Sequence, residues 1–272
     1  MDTHHRRPRS CPGPVAVILS AAVLLVACSG SGESTGTRPA SAAPTSASPS
    51  QGPARPSTEP TAAASTSALE SPSGVPPSIG PGAEVSLDEL LALLVTAPEQ
   101  RSGYDRSLFR HWIDADGDGC NTRREVLIAE AVEPPIVGGG CSLTGGRWVS
   151  AYDNLVFTDS AGLDIDHVVA LGEAWDSGAY AWTPERREAF ANDIDVGWAL
   201  IAVSATSNRS KSDKDPADWL PPSGDDLCAF LSAWIAVKVR WELTVDEGER
   251  AAMVALIPDC GDARMPVLIA IP

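Results

Sequence analysis

Positive charge is scarce in this chain. Its 272 residues hold 20 Lys and Arg against 36 Asp and Glu, a formal net charge of −16. Residues 1–84 carry five side chains of each sign, so the whole acidic excess falls downstream. A surface of that sign repels polyanions at long range. It argues against a high-affinity nucleic-acid binder, but still admits an enzyme that meets such a polymer through a local basic patch. Long apolar runs are missing too. VAVILSAAVLLVA, residues 15–27, is too short to anchor stably across a bilayer. The six cysteines include no CxxC spacing, which disfavours a zinc cluster. Only four histidines occur, and no internal repeat is visible.

The N-terminus is organised for export. Arg6, Arg7 and Arg9 precede the apolar run, the pattern of a signal peptide over residues 1–27. Leu25-Val26-Ala27-Cys28 resembles the lipobox of bacterial lipoproteins, which implies cleavage before Cys28 and a lipid on its thiol. An ordinary secretory signal with an incidental cysteine is the competing reading. Residues 28–84 are Ser, Thr, Pro, Ala and Gly with almost nothing large and apolar. Such a segment cannot bury enough surface to offset its ordering entropy, so it reads as a disordered linker. Residues 85–272 hold all eight tryptophans and suffice for one domain with a full core. Four cysteines remain there: Cys120, Cys141, Cys228 and Cys260. In an exported domain they suggest two disulfides. Three pairings are open, and proximity favours Cys120–Cys141 with Cys228–Cys260.

Periodicity predicts helices over 86–97, 107–113, 126–132, 226–241 and 246–256. Residues 147–158 alternate as strands around a turn at Asp153-Asn154, and 163–171 and 199–205 read as strands. Thr183-Pro184-Glu185 is a helix start: a capping hydroxyl, proline at the first helical position, then a carboxylate at the positive dipole end. The order of elements is α+β.

Chemistry concentrates at LDIDHVVAL and SNRSKSDKDP. The Asp166 carboxylate and the Asn208 amide are oxygen donors suited to a hard divalent cation, which needs few protein ligands. His167 beside them can take a proton from water near neutrality. Strand alternation places Asp166 and His167 on opposite faces, so a local bend would be needed to aim both at one substrate. Arg209 and Lys211 can neutralise phosphate oxygens.

These motifs, with AWDSG, FAND and DPADWLPP, resemble the HNH endonucleases over about residues 104–245. The nearest likeness is to the C-terminal domain of GmrSD-type restriction enzymes. The resemblance implies a ββα-metal (His-Me finger) core with additional helices. It implies His167 as general base, Asp166 and Asn208 as ligands of magnesium or manganese, and Lys211 at a phosphate. The third position after the histidine is Ala170 where many HNH strands have proline. The family's middle asparagine falls near Ala199, and Asn192 of FAND stands in as the residue expected to hold the His167 loop.

A second metal motif precedes this one. Asp114, Asp116, Asp118 and Gly119, with Glu125 at position 12, match the EF-hand loop template. Alternate carboxylates would wrap a calcium ion, and Cys120 would offer only its carbonyl. An acidic turn held by a disulfide is the rival reading. Tyr104, Arg106, Phe109, His111 and Trp112 flank the loop and read as packing or rim, and Trp234 and Trp241 have core spacing. The expected function is a metal-dependent endonuclease acting on DNA or RNA outside the cytoplasm, lipid-anchored to the membrane or secreted. Nucleic acid is its substrate, and no protein partner is predicted. The alternative is a non-catalytic, calcium-stabilised envelope-binding module on a degenerate HNH fold.

Overall fold

The computed structural model describes residues 80–270. The signal segment, Cys28 and most of the linker lie outside them. Two ends of the domain meet at once: β1 (Glu84–Ser86) pairs antiparallel with β8 (Arg264–Pro266). α1 (Leu87–Ala92) follows under a capping box, in which Ser86 Oγ accepts the Glu89 N–H and the Glu89 carboxylate accepts the Ser86 N–H. Its Leu87, Leu90 and Leu91 are buried. The helix is shorter than its periodicity predicts. Past Leu94 the backbone bonds elsewhere: the Val245 N–H donates to the Val95 carbonyl and the Ala97 N–H to the Val245 carbonyl.

Residues 107–113 do not form the expected helix. A single 3₁₀ turn, Arg106–Leu108, is capped by Asp105. Beyond it Asn192 draws off the backbone, accepting the Ile113 N–H and donating to the Arg110 carbonyl. α2 (Thr122–Ala129) starts and ends earlier than predicted because Asn121 caps it directly after the acidic loop. Next come the hairpin β2 (Ile136–Gly138) and β3 (Ser142–Thr144), then β4 (Trp148–Val149) and β5 (Val156–Phe157) around the Asp153-Asn154 turn.

β6 (Leu163–His167) is followed by α3 (Leu171–Asp176) and by α4 (Pro184–Ala191), which starts at Thr183 and Pro184 as read from sequence. β7 (Leu200–Ser204) then returns antiparallel to β6, with His167 opposite Leu200 and Leu163 opposite Ser204. α5 (Ala205–Lys211) leaves β7 without a break. α6 (Leu227–Arg240) is buried nearly all round and forms the centre of the main core, and α7 (Glu247–Leu256) closes the domain. A smaller core packs Val126 and Leu127 of α2 and Trp148 against Leu163, Ile165, Leu200 and Ala202 on β6 and β7. The α+β class holds. The strands form separate two-stranded pairs. The disulfides are Cys120–Cys141 and Cys228–Cys260, the pairing that proximity favours.

Candidate active site

β6 brings its chemistry to the C-terminal end of a regular strand. Pairing with β7 continues unbroken through His167, so Asp166 and His167 leave the strand on opposite faces without a bend, and both still reach one cleft at its end. The two carboxylates on one face are met by α5. Asn208 Nδ2 donates to Asp164 Oδ2 at 3.1 Å, and Lys211, one turn on, places Nζ 2.9 Å from Asp166 Oδ2.

Asp166 is thereby an enclosed ion-pair partner. It is 5 % exposed, and its Oδ2 also accepts the Tyr152 hydroxyl at 2.6 Å. Burial pushes its carboxyl above the ordinary range, against the Lys211 ammonium and the Tyr152 hydroxyl. Lys211 is fully buried; its remaining hydrogen-bond partner is the His167 carbonyl at 3.0 Å, and its ammonium lies over the Trp234 ring at 6.0 Å. That ammonium therefore braces β6, with none of its surface open to solvent. Arg209 is exposed on α5 and does not line the cleft described next.

His167 leaves the other face. Its Nε2–H donates to the Ala191 carbonyl at the end of α4, 2.9 Å away. A carbonyl can only accept, so the proton sits on Nε2 and Nδ1 keeps its lone pair in the neutral ring. Burial holds the imidazole down to about 3, the Ala191 carbonyl acts the other way, and nearby Arg106 adds to the depression. The ring is fixed by aromatic neighbours: Phe190 stacks at 6.3 Å, Trp112 lies at 5.4 Å and His111 at 6.5 Å between centroids.

A polar cleft of about 180 Å³ opens at this end of β6. Its walls include Arg106, Asp166, His167, Asn208 and Asp213. Arg106 was read as rim in the sequence and proves to be a cleft residue. Its signal was faint, a cation within six residues of a His-Trp pair. The Asn192 side chain makes no hydrogen bond to His167. It accepts from Ile113 N and Thr122 Oγ1, and donates to the Arg110 and Glu188 carbonyls. It thus ties the segment bearing His111 and Trp112 to the end of α4, next to the carbonyl that holds His167. Ala199 offers no polar side chain, and its carbonyl accepts the Val168 N–H. Ala170 has φ −57°, the value that proline would impose, so the chain turns into α3 without one.

The acidic loop stands apart. Oxygens of Asp114, Asp116 and Asp118 lie within 4.8 Å of one another, all exposed, and Glu125 is not a member of that group. Asp114 accepts from Gly117 N and Gly119 N, while Cys120 N donates to Asp118. Burial and the three aspartates together raise the Glu125 carboxyl.

The family profile of GmrSD restriction endonucleases, C-terminal domain, matches residues 142–256, a span holding β6, β7 and α5. An uncharacterized secreted protein of Arthroderma benhamiae is 40% identical over 172 residues, covering 63% of this chain and 83% of that protein. No solved structure matches the chain. The chain belongs to the family of GmrSD restriction endonuclease C-terminal domains.

Proposed function

We propose that this domain is a metal-dependent endonuclease that hydrolyses phosphodiester bonds in DNA, with RNA the neighbouring substrate class. One observation carries the reading: a neutral imidazole, fixed through Nε2 on the Ala191 carbonyl, shares a polar cleft with Arg106 and Asn208. The antiparallel β6–β7 pair with α5 running on from it supports a ββα-metal core.

The donor set suits a hard cation. Asn208 spends its amide nitrogen on Asp164 and keeps its oxygen. The Asp166 carboxylate has about four acceptor positions, and Lys211 and Tyr152 leave one on Oδ1. Asp166 and Asn208 would hold magnesium or manganese, which supplies Lewis-acid charge at the phosphate when bound. His167 Nδ1 takes a proton from the attacking water, and the Ala191 carbonyl steadies the imidazolium through Nε2–H. An anionic phosphate in the cleft raises the basicity of that ring. Arg106 neutralises the non-bridging oxygens. Lys211 and Asn192 act as positioning residues. Incubation of the purified chain with supercoiled plasmid and magnesium tests the reading. Wild type nicks the plasmid, whereas His167→Ala and wild type in excess chelator do not. Equal nicking by the variant would refute it.

The N-terminal signal pattern, the two disulfides and the secreted relative support action outside the cytoplasm, with Cys28 as the lipid site. Cys28→Ala should release the protein from the membrane fraction. Calcium at the Asp114–Asp118 loop is proposed as a structural ion, supported by the grouping of its three carboxylates. The second reading, a calcium-stabilised binding module without catalysis, draws on the Lys211 ion pair, which already occupies Asp166. Absence of nicking together with a calcium-dependent rise in melting temperature would favour it.

A further inference from the structure

A second group of carboxylates lies outside the reaction proposed above. Glu99 follows α1, Glu173 and Asp176 stand on α3, Asp215 follows α5, and Asp246 caps α7. One carboxylate oxygen from each of Glu99, Glu173 and Asp176 lies within 4.8 Å of the other two. The same holds for Glu99, Asp215 and Asp246, so Glu99 joins both triads. A cavity of about 250 Å³ is lined here by Glu99, Glu173, Asp213, Asp215 and Asp218, with Arg101 and Lys214.

Crowded acids alone do not make a site, since many are solvated or paired. Asp176 supplies a separate observation. The residue is 2 % exposed, and Arg101 Nη2 meets only its Oδ2, at 2.7 Å. Its Oδ1 is buried and has no hydrogen-bond partner among the described residues. A buried carboxylate oxygen without a donor is rare in native proteins, and a bound ion is one of the things that satisfies it. Glu173 takes the Lys238 Nζ and Ser177 Oγ bonds on Oε1, which leaves Oε2 without a hydrogen bond among the described residues. Burial, with Arg101 opposing and Glu173 and Asp213 reinforcing, pushes the Asp176 carboxyl up to about 6. Burial, with Glu173, Asp176 and Asp246 beside it, pushes Glu99 up to about 7.

We propose that Glu99, Glu173 and Asp176, flanked by Asp215 and Asp246, form a calcium-binding site in which Asp176 Oδ1 is a ligand. The donors are all oxygen, which selects a hard cation. Calcium accepts six to eight oxygens at roughly 2.3–2.6 Å in irregular geometry, so ligand oxygens up to about 5 Å apart fit around one ion. Exposed Glu99 leaves a way in from solvent. The site is independent of the Asp114–Asp118 loop and of the nuclease reading.

The test uses the full-length chain carrying Asp114→Asn and Asp116→Asn, which disables the loop and keeps acceptor oxygens for its backbone amides. Calorimetric titration with calcium chloride should still find one ion per chain. Adding Glu99→Gln should weaken that binding at least ~10-fold, because one charged ligand is lost. Melting distinguishes a ligand from a merely structural group. In chelator Glu99→Gln should melt above its parent, since one of the crowded charges is gone. In saturating calcium it should melt below. Loss of all calcium binding in the loop-disabled chain, unchanged affinity in Glu99→Gln, or a lower melting temperature in both buffers would each overturn the proposal.

Discussion

His167 donates from Nε2 to the Ala191 carbonyl at 2.9 Å, and this single bond decides which nitrogen can act as a base. The ring should show the Nε2–H tautomer in its ¹⁵N spectrum at neutral pH. His167→Ala should slow plasmid cleavage by at least ~100-fold, the lower end for loss of a general base. It also leaves the Ala191 carbonyl without its donor, at a cost of about 1–3 kcal/mol. Far-UV circular dichroism should nevertheless report a folded chain. Cleavage within a few-fold of wild type would remove His167 from the chemistry.

Arg106 should matter for substrate and little for folding. It sits in the cleft wall and is exposed, so Arg106→Ala should change stability by no more than about 0.5 kcal/mol. Loss of one charge-assisted contact to phosphate corresponds to roughly a 10- to 100-fold drop in cleavage. Binding to DNA should also lose about one unit of its logarithmic salt slope. Titrations of wild type and variant at several salt concentrations read both effects. An unchanged slope would place Arg106 away from the phosphate.

What sequence reasoning reached, and what it missed, follows from the range of the interactions. The start of α4 at Thr183-Pro184 depends on capping within one turn, and local signals carried it. β7 was legible because its Leu, Ile and Val content fits a strand buried on both faces, whereas the strand expected over 163–171 ends at His167, where the chain turns at Ala170 into α3. Both disulfides join cysteines that are neighbours in sequence. The 107–113 segment has the apolar spacing of a helix, yet Asn192 claims its backbone groups from about 80 residues away. The bond between Lys211 and Asp166 was equally hidden. Spacing along the chain does not reveal which of several cations fills a buried slot, and the motif alone pointed Lys211 at phosphate. Trp112 beside His167 required a residue at φ 61°, a conformation that no local pattern announces.

The Lys211–Asp166 pair should be a large stability determinant. Lys211 is fully buried, and removal of its charge would leave the enclosed Asp166 carboxylate without its cation. Lys211→Met should cost about 3–5 kcal/mol in urea denaturation. Adding Asp166→Asn should restore part of that loss, because no unpaired charge then remains buried. Additive losses in the double variant would mean that the two side chains are not coupled.

Glu130 supplies the pH prediction. Its Oε2 accepts the Ala202 N–H at 2.6 Å beside an apolar pocket lined by Val126, Val196 and Leu200. Burial pushes the carboxyl from 4.5 up to about 7, with the Ala202 N–H acting the other way. Between those values the folded chain holds a proton that the unfolded chain has released. The stabilisation tied to that proton is complete below pH 4.5 and is lost as pH rises through 7. Glu130→Gln keeps an acceptor oxygen for Ala202 and cannot ionise. At pH 4.5 it should match wild type, and at pH 8 it should be more stable by about 1–3 kcal/mol. Urea denaturation at the two pH values gives the difference directly. Equal stability at pH 8 would show that the carboxylate is tolerated at the Ala202 site, and the burial argument for Glu130 would fail.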